Sequence, residues 1–528
     1  MNPECIDLLW DPALYPERPE VVEIVQTHLS VVCLVGDSAY KFKKSVRLPF
    51  ADFLTLDNRR HFCEEELRLN RRLCPWLYRE VVTLRRDRAG RLSLVGGEGE
   101  IVDHALVMGR LPAERMLDVL LASDAVSVED IEAIAERMSA FHREAERGPE
   151  IRENGAPEKL RGFALANFEE TRQAVGTIFP ANLHTATERR TRADFDRWLP
   201  VLQERAGAGK IVDGHGDLHA RNICLSNPLA IYDCIEFNPA FRCGDVATEH
   251  AFLVMDLRYR GHAGLASVYL NAVITASGDD GIREMMPPLL RYRAMVRAKV
   301  FAIAAGESEL SEEDRAEAGE TARRYLRLAA ASAIEEEGPW WLLFCGLPAS
   351  GKSSIADALS RSAAGAWPVL STDRIRKELA GRGSTEPLPE EFYSPGFSRR
   401  TYDELRARAV RAALTSRVVV LDANSRGKEE RSLILRACRS VGARLAILMV
   451  EAGEETVVAR LTHRATDPEA ESDANYAVYR KLKAAFEVPT TDEADRLIPV
   501  AGAGVAADAA ADEVLAALLN PESWFQAS

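Results

Sequence analysis

The sequence predicts two successive domains, first an α+β domain and then an α/β domain whose parallel sheet is flanked by helices. Residues 30–44 alternate like two short strands around a Gly36-Asp37 turn, and helical periodicity dominates from about residue 127. After residue 338, short apolar runs alternate with helical stretches, which is typical of βα units around a parallel sheet. Three glutamates followed by Gly338 and Pro339 stop the preceding helix, so the domains are predicted at 1–338 and 339–528.

The composition is that of a folded, acidic protein. Of the 528 residues, 47% are hydrophobic and 28% are charged, with a net charge of −14. This balance disfavours the basic footprint that nucleic acids need, so nucleic acid is not expected as a partner. No apolar run approaches the roughly 18 residues of a membrane span, and the acidic N-terminus is unlike a secretory signal. The nine cysteines form no CxxC pair, which fits a cytoplasmic protein, and the oligomeric state stays open.

A phosphate-binding loop is predicted at the start of the second domain. Residues 346–353 carry the pattern G-x-x-x-x-G-K-[ST] between an apolar strand and a helix. Backbone N–H groups in such a loop point at phosphate oxygens, and the helix N-terminus favours negative charge. Lys352 is expected to reach the β- and γ-phosphates and to act in catalysis, and the Ser353 hydroxyl is expected to bind Mg²⁺. The alternative is a glycine-rich turn that binds nothing. The predicted nucleotide-binding residues are Gly346, Ser350, Gly351, Lys352, Ser353 and Ser354.

A carboxylate after the second strand of this domain favours kinase chemistry. Asp373 follows an apolar run and stands beside basic residues. It is predicted to accept the proton of an acceptor hydroxyl, while the neighbouring arginines hold charge on the substrate. The alternative is that Thr372 or Asp373 caps the following helix, and the two explanations are compatible.

Two further features complete the predicted phosphoryl-transfer site. Residues 418–422 form an apolar run that ends in Asp422, which is predicted to lie near Mg²⁺; an ordinary turn at the end of a strand is the alternative. Arg460 and Arg464 share one face of a helix and are predicted to close over the phosphates as a lid. Solvated surface arginines are the alternative here.

Residues 340–500 resemble the small P-loop kinases grouped with gluconate kinase, zeta toxins and polynucleotide 5′-kinase domains. The motifs that carry the resemblance are GLPASGKSS, STDRIRKEL, VVLDAN and RLTHR. The resemblance implies a P-loop NTPase fold, with Asp373 as general base and Arg460 and Arg464 as lid residues. Because this group is mixed in substrate, the resemblance implies a reaction and no particular acceptor.

The first domain contains an Asp and an Asn at the spacing that phosphoryl transfer uses. In HGDLHARN, residues 215–222, Asp217 is predicted to orient and deprotonate the acceptor hydroxyl, and Asn222 to bind a metal ion held by ATP. Asp233 follows a short strand 11 residues later and is predicted to be the second metal ligand. A purely structural HGD turn is the alternative, but the two elements at this separation favour catalysis.

Residues 25–330 resemble the aminoglycoside phosphotransferase family, with HGDLHARN and IYDCIEF as the strongest signatures. The resemblance implies a bilobal protein-kinase-like fold in which a strand lysine contacts the ATP phosphates and pairs with a helix glutamate. Lys41 is favoured over Lys43 as that lysine, because Ala39-Tyr40-Lys41 parallels the A-x-K of the kinase strand. A solvated basic edge strand is the alternative for Lys43 and Lys44. Glu66 is favoured as its partner, with Glu65 second. Residues 104–109 resemble the hinge that binds adenine through backbone groups, with Met108 as the nucleotide contact.

The sequence departs from this family before the lysine strand. No G-x-G-x-x-G loop is present there, and only Gly36-Asp37 lies in the turn. The segment 242–256 resembles the region that braces the catalytic loop, so Asp245 is expected to be structural. No acidic pocket for cationic antibiotics is identifiable, and the antibiotic substrate is not implied.

The chain as a whole resembles bacterial proteins that join these two kinds of domain. We expect ATP and Mg²⁺ as cofactors, and small molecules with hydroxyl groups as acceptors of the γ-phosphate at two sites. Two alternatives stay open. One domain is a nucleotide-binding regulator of the other, or the C-terminal domain phosphorylates the 5′ ends of nucleic acids.

Overall fold

The computed structural model describes residues 3–27, 29–48, 51–94, 98–307, 309–464 and 473–520. The chain divides into two compact units. The first unit comprises Met1–Gly162 and Trp198–Met286, and the second comprises Phe163–Arg197 and Pro287–Ser528. The helix predicted to stop before Gly338 does end at Glu337, whereas the domain limits 1–338 and 339–528 remain a prediction.

The helices begin and end as follows: α1 (Pro3–Ile6), α2 (Leu56–Asn70), α3 (Leu117–Ala122), α4 (Val128–Glu144), α5 (Pro149–Asn154), α6 (Pro157–Glu170), α7 (Ala181–Gly207), α8 (Pro239–Arg242), α9 (Val246–Tyr259), α10 (Ala263–Ser277), α11 (Gly281–Ala304), α12 (Glu312–Glu337), α13 (Lys352–Ser362), α14 (Thr372–Leu379), α15 (Pro395–Ala412), α16 (Lys428–Ser440), α17 (Glu454–Arg464), α18 (Tyr476–Ala484) and α19 (Ala507–Leu519). Over the ranges that the structure describes, none of these helices is both long enough and apolar enough to cross a bilayer.

The strands are β1 (Glu23–Gln26), β2 (Ser30–Val35), β3 (Ser38–Lys43), β4 (Arg47–Leu48), β5 (Ala51–Asp52), β6 (Tyr78–Arg86), β7 (Leu92–Ser93), β8 (Glu100–Gly109), β9 (Ile211–Asp213), β10 (Ile223–Cys224), β11 (Ala230–Ile231), β12 (Cys243–Asp245), β13 (Trp340–Cys345), β14 (Val369–Ser371), β15 (Val418–Asp422), β16 (Arg444–Glu451) and β17 (Arg496–Ala501).

The first unit begins with an antiparallel sheet in the strand order β1-β2-β3-β8-β6-β7. Strands β2 and β3 flank the turn at Gly36, as predicted. Because side chains alternate along β3, Tyr40 and Phe42 join the apolar core on one face of the sheet. Lys41 and Lys43 therefore lie on the other face, the one that meets α2.

The rest of the first unit is mainly helical, as the periodicity after residue 127 predicts. Strand β9 pairs with β12, and β10 pairs with β11. The short strands predicted near Ile223 and Ile231 are these last two. They lie on either side of a cis Asn227-Pro228 peptide bond, and they hold the loop that runs toward Asp233.

The second unit contains a parallel sheet in the order β14-β15-β13-β16-β17. Its central strand β13, WWLLFC, is buried throughout, as a strand covered on both faces requires. The apolar runs after residue 338 predicted a parallel sheet, but none of them was assigned to β17, which contains Pro499. Proline cannot donate to a sheet ladder and is tolerated at an edge, which is where β17 lies.

A buried ion pair joins α12 to α19 within the second unit. The Arg327 guanidinium donates to both oxygens of the Asp512 carboxylate, over 2.7 and 3.0 Å. The two side chains are only 7% and 5% exposed. Such a bidentate pair fixes the relative position of the two helices.

Replacing Asp512 with alanine is expected to destabilise the second unit. The variant leaves the Arg327 charge buried without its main counter-ion, which typically costs about 3–5 kcal/mol. Urea unfolding measures the loss as a lower midpoint of the transition reported by the buried tryptophans of this unit. The matched control is Asp508→Ala on the same helix, because the Asp508–Arg361 pair is largely exposed and is worth at most about 1 kcal/mol. Equal midpoints for the two variants would contradict this assignment.

Candidate active sites

A lysine–glutamate pair lies at the centre of the first unit. Lys41 Nζ on β3 lies 2.7 Å from Glu66 Oε1 on α2 and 2.6 Å from Asp233 Oδ1. Burial alone would raise the pKa of Glu66, but the charges of Lys41 and Lys43 outweigh it and hold that pKa at about 2. Of the two glutamates considered for this pairing, the structure places Glu66 against Lys41. Glu65 instead pairs with Arg68 and Arg242.

Lys43, the second lysine of β3, is buried, so the alternative that it lies on a solvated edge strand was wrong. Lys43 is 2% exposed, and its ammonium group contacts the carboxylates of Glu66 and Glu236. The physical reason is that β3 is an inner strand, flanked by β2 and β8, and has no free edge. Lys44, which follows the strand, is only partly buried.

The HGD loop brings Asp217 and Asn222 together between β9 and the short 3₁₀ helix 220–222. The Asn222 amide nitrogen donates to the Asp217 backbone oxygen over 3.0 Å and to its carboxylate over 3.1 Å. His219 Nε2 lies 3.3 Å from the same carboxylate. The Asp217 side chain keeps 31% of its surface exposed, so it is accessible to a reactant.

Asp233 is held in an uncommon backbone conformation. Its φ is +65°, in the left-handed region that non-glycine residues seldom adopt, and such strain often marks functional positions. Neighbouring hydrogen bonds impose it: the Asp233 N–H donates to the Tyr78 hydroxyl, and the Cys234 N–H donates to the Asn70 side chain. The Asp233 carboxylate is 42% exposed and contacts Lys41. The three predicted groups Lys41, Glu66 and Asp233 are thus adjacent.

Glu249, which was not predicted as a site residue, holds the backbone of the HGD loop. Glu249 on α9 accepts hydrogen bonds from the N–H groups of His215 and Gly216, both over 2.6 Å, and from His142 Nε2 over 2.6 Å. These donors outweigh the effect of burial and hold the pKa of Glu249 at about 2. A Cβ on Gly214 would come within 2.7 Å of the Glu249 carboxylate, so glycine is required there.

The buried polar chain continues beyond Glu249. His142 Nδ1 lies 3.1 Å from His250 Nε2, and His250 Nδ1 lies 2.9 Å from the Tyr269 hydroxyl. Burial holds the pKa of His250 well below its ordinary value, so this ring is neutral. Asp245, expected to be structural, pairs with Arg205 over 2.7 Å and caps α9. The signal for Glu249 was its place one helical turn after Asp245.

Met108, the predicted adenine contact, lies in β8 between Ala39 of β3 and Tyr78 of β6. Its side chain is nearly buried. The turn that takes the place of a glycine-rich loop is tied to the residue after β8, because the Arg110 N–H donates to the Asp37 backbone oxygen over 2.9 Å. Nucleotide binding by Met108 remains a prediction.

The phosphate-binding loop of the second unit lies between β13 and α13. Gly346 and Gly351 have φ values of +158° and +109°. A Cβ on Gly346 would lie 2.5 Å from the Val450 backbone oxygen, so this glycine is required by the close approach of β16. Lys352 Nζ donates to the Leu347 backbone oxygen over 2.8 Å, across the loop. The Ser350 hydroxyl is buried and has no hydrogen-bond partner among the described residues.

Ser353 and Asp422 meet at the carboxyl end of the sheet. The Ser353 hydroxyl donates to Asp422 Oδ2 over 2.8 Å. Burial raises the pKa of Asp422, and the charge of Lys352 opposes that rise. Ser353 and Ser354 both lie exposed at the start of α13. The structure therefore places the serine and the aspartate of the predicted metal site in direct contact.

Asp373 lies beside this pair. Its strand β14 pairs with β15 so that Ser371 is opposite Asp422, and Asp373 follows in the first turn of α14. The proposed capping role of Thr372 or Asp373 was wrong, because Ser371 occupies the N-cap position and no side chain caps the helix. Arg376, expected to hold substrate charge, donates to the Phe392 backbone oxygen and lies over the Tyr393 ring.

Arg460 contacts the phosphate-binding loop directly. Its Nη1 donates to the Ala349 backbone oxygen over 3.1 Å. Ala349 has a φ of +61°, which turns this oxygen toward α17. The other predicted lid residue, Arg464, ends α17, and its side chain lies outside the described residues.

A cavity of about 320 Å³ adjoins this loop. It is lined by the loop residues Gly351 and Ser354, by Arg460 and His463 of α17, and by Gly502 and Val505 after β17. The volume is at the lower end of the range for small-molecule sites. Gly502 was not predicted as a site residue, because one glycine after an unrecognised strand carries no distinctive signal in the sequence.

Comparisons with known proteins agree with this organisation. Residues 342–489 match the family model of the AAA domain. Uncharacterized proteins of Mycobacterium tuberculosis (strain H37Rv) and Mycobacterium bovis are each 29% identical to this chain over 393 residues, which cover 74% of this chain and 75% of theirs.

Solved structures with partial likeness fall into two groups. A gluconokinase from Sinorhizobium meliloti is 20% identical and covers 34% of this chain and 91% of its own, with a TM-score of 0.24. A choline/ethanolamine kinase family protein from Mesorhizobium loti is 11% identical and covers 61% of this chain and 94% of its own, with a TM-score of 0.38. At these TM-scores, neither solved structure assigns a function to this chain.

The strand orders and the AAA match show an α+β part with an antiparallel sheet, followed by a P-loop part with a parallel sheet. The fold predicted from the sequence is confirmed in both parts.

Gly502→Ala is expected to impair nucleotide binding at the phosphate-binding loop. The new Cβ would lie 2.0 Å from the Ser350 backbone oxygen, so the loop or β17 must shift. A hydrogen bond to a charged phosphate is worth about 1.5–3 kcal/mol, so a displaced loop that loses one such bond weakens ATP binding by about 10-fold or more. The measurement is an ATP titration of the full chain carrying Lys41→Met, which silences the first unit. Gly453→Ala is the matched control, because its Cβ meets no atom within 4 Å. Equal ATP affinities in the two variants would show that the close approach of Gly502 is unimportant.

Proposed function

We propose that this protein is a phosphotransferase with two active sites, each of which transfers the γ-phosphate of ATP to a hydroxyl group of a small molecule. The observation that supports the proposal most strongly is that the predicted site residues of the first unit lie close together. The Lys41–Glu66–Asp233 cluster and the Asp217–Asn222 pair come from four separate chain segments. They are linked beside Asp233, where the Tyr232 N–H donates to the Asn222 backbone oxygen over 3.0 Å. This set supplies a phosphate-binding cation, two metal-ligand groups and a base.

In the first unit, Asp217 is the group that orients the acceptor hydroxyl and takes its proton. Its carboxylate is fixed by Asn222 and His219 and remains accessible. Lys41 holds the phosphates of ATP, and Glu66 keeps the lysine in place. His215, whose pKa is lowered by burial, is neutral and braces the loop through the Tyr232 backbone oxygen.

Asn222 and Asp233 fit a magnesium site. The amide nitrogen of Asn222 is taken by Asp217, so its carbonyl oxygen is the ligand atom, and Asp233 offers a partly exposed carboxylate. Mg²⁺ is usually held by one or two such protein oxygens together with phosphates and water. When bound, the ion would neutralise negative charge on the phosphates.

In the second unit, the N–H groups of the loop and Lys352 bind the phosphates. The Ser353 hydroxyl and the Asp422 carboxylate fit Mg²⁺, since they are already within 2.8 Å of each other. Asp373 takes the proton of the acceptor, and Arg460 balances phosphate charge. The cavity beside Arg460 has the size and position to hold the nucleotide base.

The test is transfer of labelled γ-phosphate from ATP and Mg²⁺ to a pool of small cytoplasmic metabolites, with products identified by mass spectrometry. Asp217→Asn and Asp373→Asn are expected to abolish different products, each by about 10²-fold or more, because each removes a general base. The controls are Asp280→Asn and Asp403→Asn, two exposed positions in the respective units, and these should retain both products.

Other outcomes would contradict the proposal in distinct ways. One product, lost in one variant alone, would make the other domain a regulator rather than an enzyme. Labelling of oligonucleotide 5′ ends in place of metabolites would identify the second unit as a nucleic-acid kinase. No labelled product from a broad pool would refute phosphotransfer to small molecules.

A further inference from the structure

Five charged side chains form a ladder with two rungs in the first unit. Lys41 and Lys43 lie two residues apart on the same face of β3. Lys41 pairs with Asp233, Lys43 pairs with Glu236, and both lysines contact Glu66 between them. The ladder therefore joins β3 and α2 to the segment that begins at Asp233.

The two rungs differ in exposure. In the outer rung, Lys41 and Asp233 are 16% and 42% exposed, so both can meet a bound nucleotide. In the inner rung, Lys43 and Glu236 are 2% and 6% exposed. The Lys43–Glu236 pair is therefore shielded from reactants. It can affect the reaction only through the Lys41–Asp233 pair.

Stability does not explain the inner rung. A buried ion pair seldom stabilises a fold more than apolar side chains of the same size, because removing both charges from water offsets their attraction. What such a pair does provide is a fixed position for the segments it joins. Here one of those segments contains Asp233, whose φ of +65° requires its surroundings to hold it in place.

We infer that Lys43 and Glu236 are positioning residues for the proposed phosphotransfer site of the first unit. The inner rung fixes the segment 233–236 against β3, and this sets Asp233 and Lys41 in the arrangement that receives Mg²⁺ and the ATP phosphates. The inference rests on the proposed function of that site and gives a role to the second lysine of the AYKFKK segment. Neither residue touches the reacting groups.

The decisive variant replaces both inner residues, Lys43→Met with Glu236→Met. The ladder contains two lysines and three carboxylates. The double variant contains one lysine and two carboxylates, so its net charge is unchanged at −1. Because the replacements are apolar and similar in length, the fold is expected to keep its thermal midpoint within a few degrees.

The measurement is ATP binding to the full chain as a function of Mg²⁺ concentration, in a Lys352→Ala background that silences the second unit. Hydrolysis of ATP to ADP and phosphate, with water as the acceptor, is followed alongside, and Asp217→Asn defines the part that belongs to this site. We expect the double variant to need several-fold more Mg²⁺ for half-maximal ATP binding. We expect its Asp217-dependent turnover to fall about 10-fold or more, as misplaced reacting groups cause.

Two further variants keep the test informative. Glu236→Gln retains a hydrogen-bond acceptor for Lys43 and should shift the Mg²⁺ requirement less than the double variant does. Lys44→Met lies next to the ladder without joining it and should leave the Mg²⁺ requirement unchanged.

The outcomes separate this inference from the proposed function. A double variant with an unchanged Mg²⁺ requirement and unchanged turnover would show the inner rung to be structural only, and would overturn the inference. If the background protein binds ATP with Mg²⁺ but transfers no γ-phosphate to any metabolite of the pool, the proposed function of this site fails, while a raised Mg²⁺ requirement in the double variant still supports the inference. Absence of Mg²⁺-dependent ATP binding in the background protein would overturn both.

Discussion

The charge of Lys41 is shared between carboxylates from two segments that are far apart in the chain, Glu66 and Asp233. The placement of α2 and of the loop after β11 follows from keeping those groups together. Helix α2 must present Glu66 to β3, and the loop after β11 must turn sharply enough to bring Asp233 to the same lysine. The positive φ of Asp233 meets that second requirement, together with the hydrogen bonds that the Asp233 and Cys234 N–H groups donate to Tyr78 and Asn70.

The HGD loop is fixed by a separate set of contacts. The Glu249 carboxylate accepts hydrogen bonds from two backbone N–H groups of the loop and a third from His142. An ionised carboxylate can occupy this dry position because its hydrogen-bond donors replace the water that it lost. Two buried carboxylates, Glu66 and Glu249, thus position the site without contacting a reactant.

The second unit depends on backbone proximity more than on charge. Gly346 and Gly502 let β16 and β17 approach the phosphate-binding loop so closely that no side chain fits at either place. Ser353, at the start of the helix after this loop, then meets Asp422 at the end of β15. The same construction explains why one edge strand with a proline is still required, since its last residue leads directly to Gly502.

The sequence was sufficient to predict those features whose motif has a single physical explanation. The phosphate-binding loop, the Asp217–Asn222 spacing and the parallel sheet were predicted because each combines local pattern with a required context. Lys43 was misjudged because a charged residue on a short strand looks solvated until the neighbouring strands are known. Gly502 was missed for a related reason: its role comes from contacts with residues distant in the chain, which no local pattern records. Glu249 was missed although it lies one helical turn after Asp245, because its hydrogen bonds to the HGD loop also join residues distant in the chain. The same limit left β17 unrecognised, because Pro499 breaks the local strand signal.

The central claim is that one chain carries two separate nucleotide sites, and its most direct test is the stoichiometry of binding. Calorimetric titration of the full chain with a non-hydrolysable ATP analogue and Mg²⁺ should give two bound nucleotides. Lys352→Ala and Lys41→Met should each leave one, and the two changes combined should leave none. A single bound nucleotide in the unaltered chain, abolished by one of these substitutions and unaffected by the other, would contradict the account.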